Sequence, residues 1–224
     1  MFSDQILHFH TSLQLPPNLP AGVEVMNPYA ESQTLAIATQ FYRKYYNDNH
    51  QRHLILGINP GRFGGGVTGV PFTDPIKLEN FCGIKNDLAK KPELSAEFIW
   101  KVIHELGGPE QFFSAFYINS VFPLGFTKDG KNLNYYDIPA LQRIAEPHCV
   151  ASIQQQLEFG INREMVFCLG EGQNFKFLNR LNTEHGFFKE VIPLPHPRFI
   201  MQYKRKFIPD YLEVFVGKLG RVGF

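Results

Sequence analysis

Apolar residues recur at helical spacing from Glu31 to Tyr46, where Leu35, Ile37, Ala38, Phe41 and Tyr45 share one stripe. The same period predicts a helix over Ser3–Leu13, with Ser3 as its N-cap, ended by the proline-rich stretch from Leu15 to Pro20. Further helices are expected near Ser95–Leu106, Pro139–Phe159, Gly172–Asn182 and Ile208–Leu219. Between them stand short apolar runs at His53–Ile58, Ala115–Asn119, Met165–Leu169 and Lys189–Leu194. Unbroken runs of that length read as strands buried on both faces, as in a parallel sheet. Four such strands separated by helices predict an α/β fold, a three-layer α/β/α sandwich around a central parallel four-stranded sheet. One domain is expected to span residues 1–224.

Three of the four strands run into long polar connections: Gly57–Asp74, Asn119–Lys131 and Pro195–Lys206. Ligands of open α/β sheets sit at the carboxyl ends of the strands, so these loops should converge on one cleft.

Composition narrows what the cleft holds. A chain with 44% hydrophobic residues and 22 Phe can bury a large core. No apolar stretch approaches the roughly 20 residues of a membrane helix, and the amino end has no basic segment leading into an apolar run. Cys82, Cys149 and Cys168 are odd in number and widely spaced, which argues against a disulfide framework or a cysteine metal site. A cytoplasmic protein without metal or cofactor is expected. Net charge is only +1, yet Arg198, Lys204, Arg205 and Lys206 follow His196 with no intervening acid. Such a cluster can neutralise phosphates, although taken alone it reads equally well as a solvated basic segment.

The first loop holds six glycines between Gly57 and Phe72. It lacks the Gly-Lys-Ser/Thr of a Walker loop and the helix that follows a dinucleotide fingerprint. The order of its residues is more telling: Gly57-Ile58-Asn59-Pro60-Gly61, then Phe63-Gly64, then Thr68-Gly69-Val70-Pro71-Phe72. This strongly resembles the G-M-N-P-G-x-F-G…T-G-V-P-F of single-strand-selective monofunctional uracil-DNA glycosylases. Phe116-Tyr117-Ile118-Asn119-Ser120-Val121-Phe122-Pro123-Leu124 is similar to that family's F-V-H-N-x-x-P-L, with one extra residue before the proline. Gly130-Lys131-Asn132-Leu133 resembles its G-R-N-L, and Leu194-Pro195-His196-Pro197 its L-H-P-S-P. The four motifs occur in the family's order between Gly57 and Pro197.

The resemblance implies the uracil-DNA glycosylase fold and hydrolysis of the N-glycosidic bond of uracil, or a related deaminated base, flipped out of DNA. It implies that Asn59 orients the attacking water and that His196 stabilises the anion developing on the base. Gly61, Phe63, Gly65, Phe72 and Asn119 would form the base pocket, Phe72 by stacking and Asn119 by matching uracil O4 and N3–H. Out of context, Phe72 reads as a core residue, Asn119 as a turn former and His196 as a loop histidine. Pro60, Pro197, Arg198, Phe199, Met201, Lys204 and Arg205 are expected to meet the DNA, with Phe199, Ile200 or Met201 as an apolar wedge. No motif offers a Schiff-base lysine, so the enzyme should be monofunctional, acting as a monomer.

Two departures stand out. The family's S-P-R-N-P-like continuation is absent after His196, and Gly65 replaces a frequent methionine. Gly65 and Gly66 would then leave room for 5-substituted uracils or xanthine. Two other classes remain: a nucleotide or sugar-phosphate hydrolase using the glycine loop, for which only Asp74 and Asp129 are near, and a silent nucleic-acid-binding module, which would not need Asn59 and His196.

Overall fold

The computed structural model describes residues 1–223. Its larger sheet has the order β3-β2-β6-β7, all parallel: β2 (Arg52–Gly57), β3 (Phe116–Ser120), β6 (Ile161–Leu169) and β7 (Glu190–Leu194). Leu54, Ile55 and Leu56 of β2 are buried, as are Val166 to Leu169 of β6, so the unbroken apolar runs mark a sheet covered on both faces. Helices α1 (Phe2–Ser12), α2 (Ser32–Tyr45), α5 (Leu94–Glu105), α7 (Pro139–Leu157), α8 (Gln173–His185) and α10 (Ile208–Leu219) fall where helical periodicity places them. Ser3 is not the N-cap of α1; it lies in the first turn, buried, with its hydroxyl donating to Asn47 Oδ1.

Four short helices were not foreseen: α3 (Gly65–Thr68), α4 (Pro75–Asn80), α6 (Pro109–Ala115) and α9 (Pro197–Tyr203). Each is shorter than the roughly 11-residue window in which helical periodicity becomes readable. Nor was the second sheet, an antiparallel β1-β4-β5 built from β1 (Val23–Met26), β4 (Gly125–Lys128) and β5 (Lys131–Leu133). Asp129 (φ 51°) and Gly130 (φ 67°) form the two-residue turn joining β4 to β5, with Lys128 opposite Lys131. Positive φ at both positions matches the tight hairpin turn that Asp-Gly favours.

The register levels the carboxyl ends of the parallel strands. Gly57 pairs with Ser120 and Leu169 with Leu194, so the polar connections leave one rim. At the opposite end Arg52 is fully buried. Its guanidinium grips both oxygens of Asp48 at 2.8 Å, donates to the Phe113 carbonyl at 2.7 Å, and lies 4.7 and 4.9 Å from the ring centres of Phe2 and Tyr46. This one cation ties α1, the end of α2, β2 and α6 together.

Arg52→Ala should therefore cost about 3–5 kcal/mol, since it strands Asp48 and a buried carbonyl. Urea denaturation checks this; a loss below about 1 kcal/mol would mean the network is dispensable.

Candidate active site

The glycine-rich connection is held from below by buried hydroxyls. Gly69, in the left-handed conformation (φ 70°) that ends α3, presents its carbonyl to Tyr29 Oη at 2.9 Å and Tyr42 Oη at 3.1 Å. Thr68 Oγ1 donates to the Thr73 carbonyl at 2.7 Å, closing the loop on itself. Phe72 itself has φ 54°, a strained value for a residue with a side chain. That backbone lays its ring on Gly57, where an added Cβ would stand 2.8 Å from Phe72 Cζ. A small residue at the end of β2 is thus required by the ring stacked on it.

Above this floor is a cavity of about 90 Å³ lined by Ile58, Asn59, Pro60, Gly61, Gly65, Pro71, Phe72, Glu93, Ser95, Ser120, Asn132, Asn134, His196 and Arg198. A wider groove of about 670 Å³ shares Ile58, Asn132, Asn134, His196 and Arg198 with it and extends to Phe199, Gln202 and Tyr203.

Asn59 is clamped across the two sheets. Its Nδ2 donates to the Leu133 carbonyl and its Oδ1 accepts from the Tyr135 N–H, both at 3.1 Å. One N–H and one lone pair of the amide are left over. His196 caps α9: its Nδ1 accepts the Arg198 backbone N–H at 3.2 Å. Burial, and secondarily the Arg198 charge, lowers its pKa to about 4. At neutral pH the ring is therefore uncharged, and because Nδ1 is an acceptor the proton sits on Nε2, leaving that nitrogen a hydrogen-bond donor.

The cavity brings together Asn59, Pro60, Gly61, Gly65, Phe72, His196 and Arg198 of the expected residues. It does not include Asn119. The Asn119 Nδ2 donates to Tyr117 Oη at 3.0 Å and Gln156 Oε1 at 2.8 Å, and its Oδ1 accepts from the Ser120 N–H at 2.8 Å, inside the core. Side chains alternate along a strand, so if Asn119 shares a face with Tyr117, its neighbour Ser120 faces the other way, into the cavity. The proline spacing carried this signal: counting back from Pro123 puts Ser120, not Asn119, three residues before the proline, where the family motif has its asparagine.

Other expectations change as well. Phe63 faces an outer groove and packs on Arg62 and Lys91. A Cβ on Gly65 would meet Pro71 Cα at 3.3 Å, Val70 O at 3.4 Å and Pro60 Cβ at 3.5 Å, and one on Gly66 would meet Gly61 O at 2.8 Å. Gly66 thus permits close backbone packing, while a Cβ on Gly65 would meet the cavity wall at near-ordinary contact distances. The connection after β7 is largely helix α9, which buries Ile200 and Met201, so neither can be a wedge. The same helix exposes Phe199 (43%) and Tyr203 (66%), their ring centres 5.7 Å apart. Pro197 is buried at the start of α9, Lys204 is half-buried at its end, and exposed Arg205 reaches Glu97 at 3.4 Å. Asp74 is consumed as the cap of α4 and the partner of Lys77, and among the described residues no acidic, histidine or cysteine cluster could hold a metal.

Glu93, just before α5, carried no motif. Its backbone N–H donates to Asp74 Oδ2 at 2.9 Å, which turns its side chain onto the glycine loop. There Oε2 is buried without a hydrogen-bond partner among the described residues. Burial, reinforced by the Asp74 carboxylate and opposed by Arg198 and Lys77, raises its pKa from 4.5 to about 7.

The connections leaving one rim of a parallel-sheet α/β fold gather an asparagine, a neutral histidine and a stacked phenylalanine around one small cavity. The family model described as the uracil DNA glycosylase superfamily matches residues 43–220, and the chain belongs to that superfamily. The single-strand selective monofunctional uracil-DNA glycosylase of Rattus norvegicus is 30% identical over 154 residues, covering 59% of this chain and 52% of that protein. The Mus musculus protein is 29% identical with the same coverage. The chain thus spans about half the length of the curated relatives it matches. A crystal structure of Pedobacter heparinus SMUG2 superposes with TM-score 0.96 at 43% identity, covering 99% of this chain and 97% of that one. No helix among the described residues is long and apolar enough to cross a membrane.

The Glu93 shift has a signed consequence for stability. Between about pH 4.5 and 7 the folded chain holds a proton that the unfolded chain has released, so the stability Glu93 contributes falls as pH rises through that window. Glu93→Gln should gain on the wild type by up to about 3 kcal/mol between pH 5 and pH 8 in urea melts. A difference that does not vary with pH would show that Glu93 titrates normally.

Proposed function

We propose that the protein is a monofunctional uracil-DNA glycosylase, which flips uracil from DNA and hydrolyses its N-glycosidic bond to leave an abasic site. The observation that carries this reading is His196, fixed neutral with Nε2–H as donor in the same cavity as Asn59 and Phe72. Cleavage of C1′–N1 puts negative charge on the departing base and positive charge on the sugar. A neutral N–H donor gains more from the base anion than from the neutral ground state, so it acts on the transition state. Phe72 stacks under the flipped ring, and Ser120 takes the base-reading role expected of Asn119. Asn59, already fixed by two backbone bonds, directs its free amide hydrogen or lone pair to the attacking water. It cannot deprotonate that water.

Among the described residues no lysine lines the cavity, which favours simple hydrolysis over a Schiff base. Arg198 and Lys204 hold phosphates, and the exposed Phe199–Tyr203 pair fills the gap left by the flipped nucleotide. Three free, buried cysteines suit a reducing compartment such as the cytoplasm. The relatives named as uracil-DNA glycosylases support the same activity.

Incubation with oligonucleotides carrying one uracil, single- and double-stranded, should give strand breaks only after alkali. Asn59→Ala should lower kcat about 10²–10³-fold with DNA affinity retained. Full activity in that variant would refute the water-positioning role, and no excision by the wild type would refute the glycosylase reading. Arg198→Ala and Lys204→Ala should each weaken DNA binding and flatten the slope of log K against log salt by about 1. An unchanged slope would remove that residue from the phosphate contacts.

A further inference from the structure

Hydrolysis requires that water lose a proton, and the two residues assigned so far cannot take it. Asn59 is an amide. His196 already accepts the Arg198 N–H at Nδ1 and carries a proton at Nε2. Of the other cavity residues, Arg198 is a cation, while Ser95, Ser120, Asn132 and Asn134 do not titrate near neutrality. One group remains. Glu93 lines the cavity with Asn59 and His196, and its Oε1 stands 3.1 Å from the position a Cβ would take on Gly61, two residues after Asn59.

The packing around this carboxyl is specific. An added Cβ on Gly64 would fall 2.0 Å from Oε2, so the glycine loop is shaped to admit the group. Oε2 is sealed against that loop with no hydrogen-bond partner among the described residues. Arg62, Lys131 and Arg198 line the outer groove, which shares Glu93 with the cavity. None of them comes within ion-pair distance of it among the described residues. A buried carboxylate left without a partner holds a proton more tightly than usual, which suits it to take one from water.

We propose that Glu93 is the general base of the reaction, supplying from the start of α5 the carboxylate that Asn59 lacks. This rests on the glycosylase reading. The water O–H bond breaks as its oxygen bonds to C1′, and the proton passes to the Glu93 carboxylate. The C1′–N1 electron pair leaves with the base, whose anion His196 holds by hydrogen bonding. Glu93 then returns the proton to the departing base or to solvent. The groups facing the carboxyl set the pH at which it works. Asp74, capping α4, raises its proton affinity; Lys77 on α4 and Arg198 on α9 lower it; burial dominates and centres the titration at about pH 7. The ionised form is the active one, so the rate should rise with pH through that value.

The test is single-turnover excision of uracil from a fluorescent oligonucleotide by wild type and Glu93→Gln between pH 5.5 and 9. Glu93→Gln should be slower by about 10²-fold or more at pH 8 and lack the rise near pH 7, with DNA affinity maintained and the fold at least as stable as the wild type. Glu93→Ala should regain rate as formate is added, because a small carboxylate can occupy the vacated space. An active wild type with Glu93→Gln equally fast, or a wild-type rate that falls above pH 7, would overturn the assignment alone. A wild type that excises no uracil at any pH would overturn the glycosylase reading and this inference with it.

Discussion

The amide of Asn59 spans the space between the end of β2 and the backbone leaving β5, bonded to Leu133 on one side and Tyr135 on the other. Most of the site depends on this link. It draws the small antiparallel sheet against the rim of the parallel one, and so brings Asn132 and Asn134 to the cavity. It also uses one hydrogen and one lone pair of the amide, which leaves the remainder pointing in a single direction. A freely rotating asparagine would position a water poorly; one held at both ends, as the proposed role requires, presents its remaining groups in a fixed direction. In preorganised sites of this kind the orientation cost is met during folding rather than during reaction.

Charge is distributed by the same logic. His196 is kept neutral by burial and by the Arg198 charge, and its tautomer is set by a backbone N–H two residues along. Glu93 is pushed the other way by burial and by Asp74. Low dielectric thus drives a base to remain uncharged and an acid to hold its proton more tightly, bringing the acid's transition near neutral pH. Asp74 connects these effects to the fold. It caps α4, pairs with Lys77 and accepts the Glu93 backbone N–H, so one buried carboxylate fixes where the other stands.

The four parallel strands and six long helices were legible in the sequence because each is an apolar pattern sustained over enough residues to define a period. The β4–β5 hairpin was missed although Asp129-Gly130 is a recognised turn signal; its strands are only four and three residues long and carry little alternation. Asn59 and His196 were readable as motif residues just past strand ends, and Phe72 as a motif residue of the connection after β2. Asn119 misled because a one-residue offset in β3 exchanges the two faces of the strand, and two polar residues stand side by side there. Met201 misled because a sequence read as loop is in fact α9, and helical geometry separates Met201 from Phe199 onto different sides. Glu93 could not be found at all. Its meaning comes from Gly64, about thirty residues earlier, and from burial that only the tertiary structure creates.

On the proposed reading, helix α9 joins recognition to chemistry over a few residues. Its cap is His196, and its first turn supplies the Arg198 N–H that sets the His196 tautomer. Ile200 and Met201 anchor it to the core, which leaves Phe199 and Tyr203 facing outward on the groove that opens into the cavity. In the proposed reaction the Arg198 side chain meets phosphate while its backbone N–H fixes the His196 tautomer, so one residue would serve both DNA contact and proton placement.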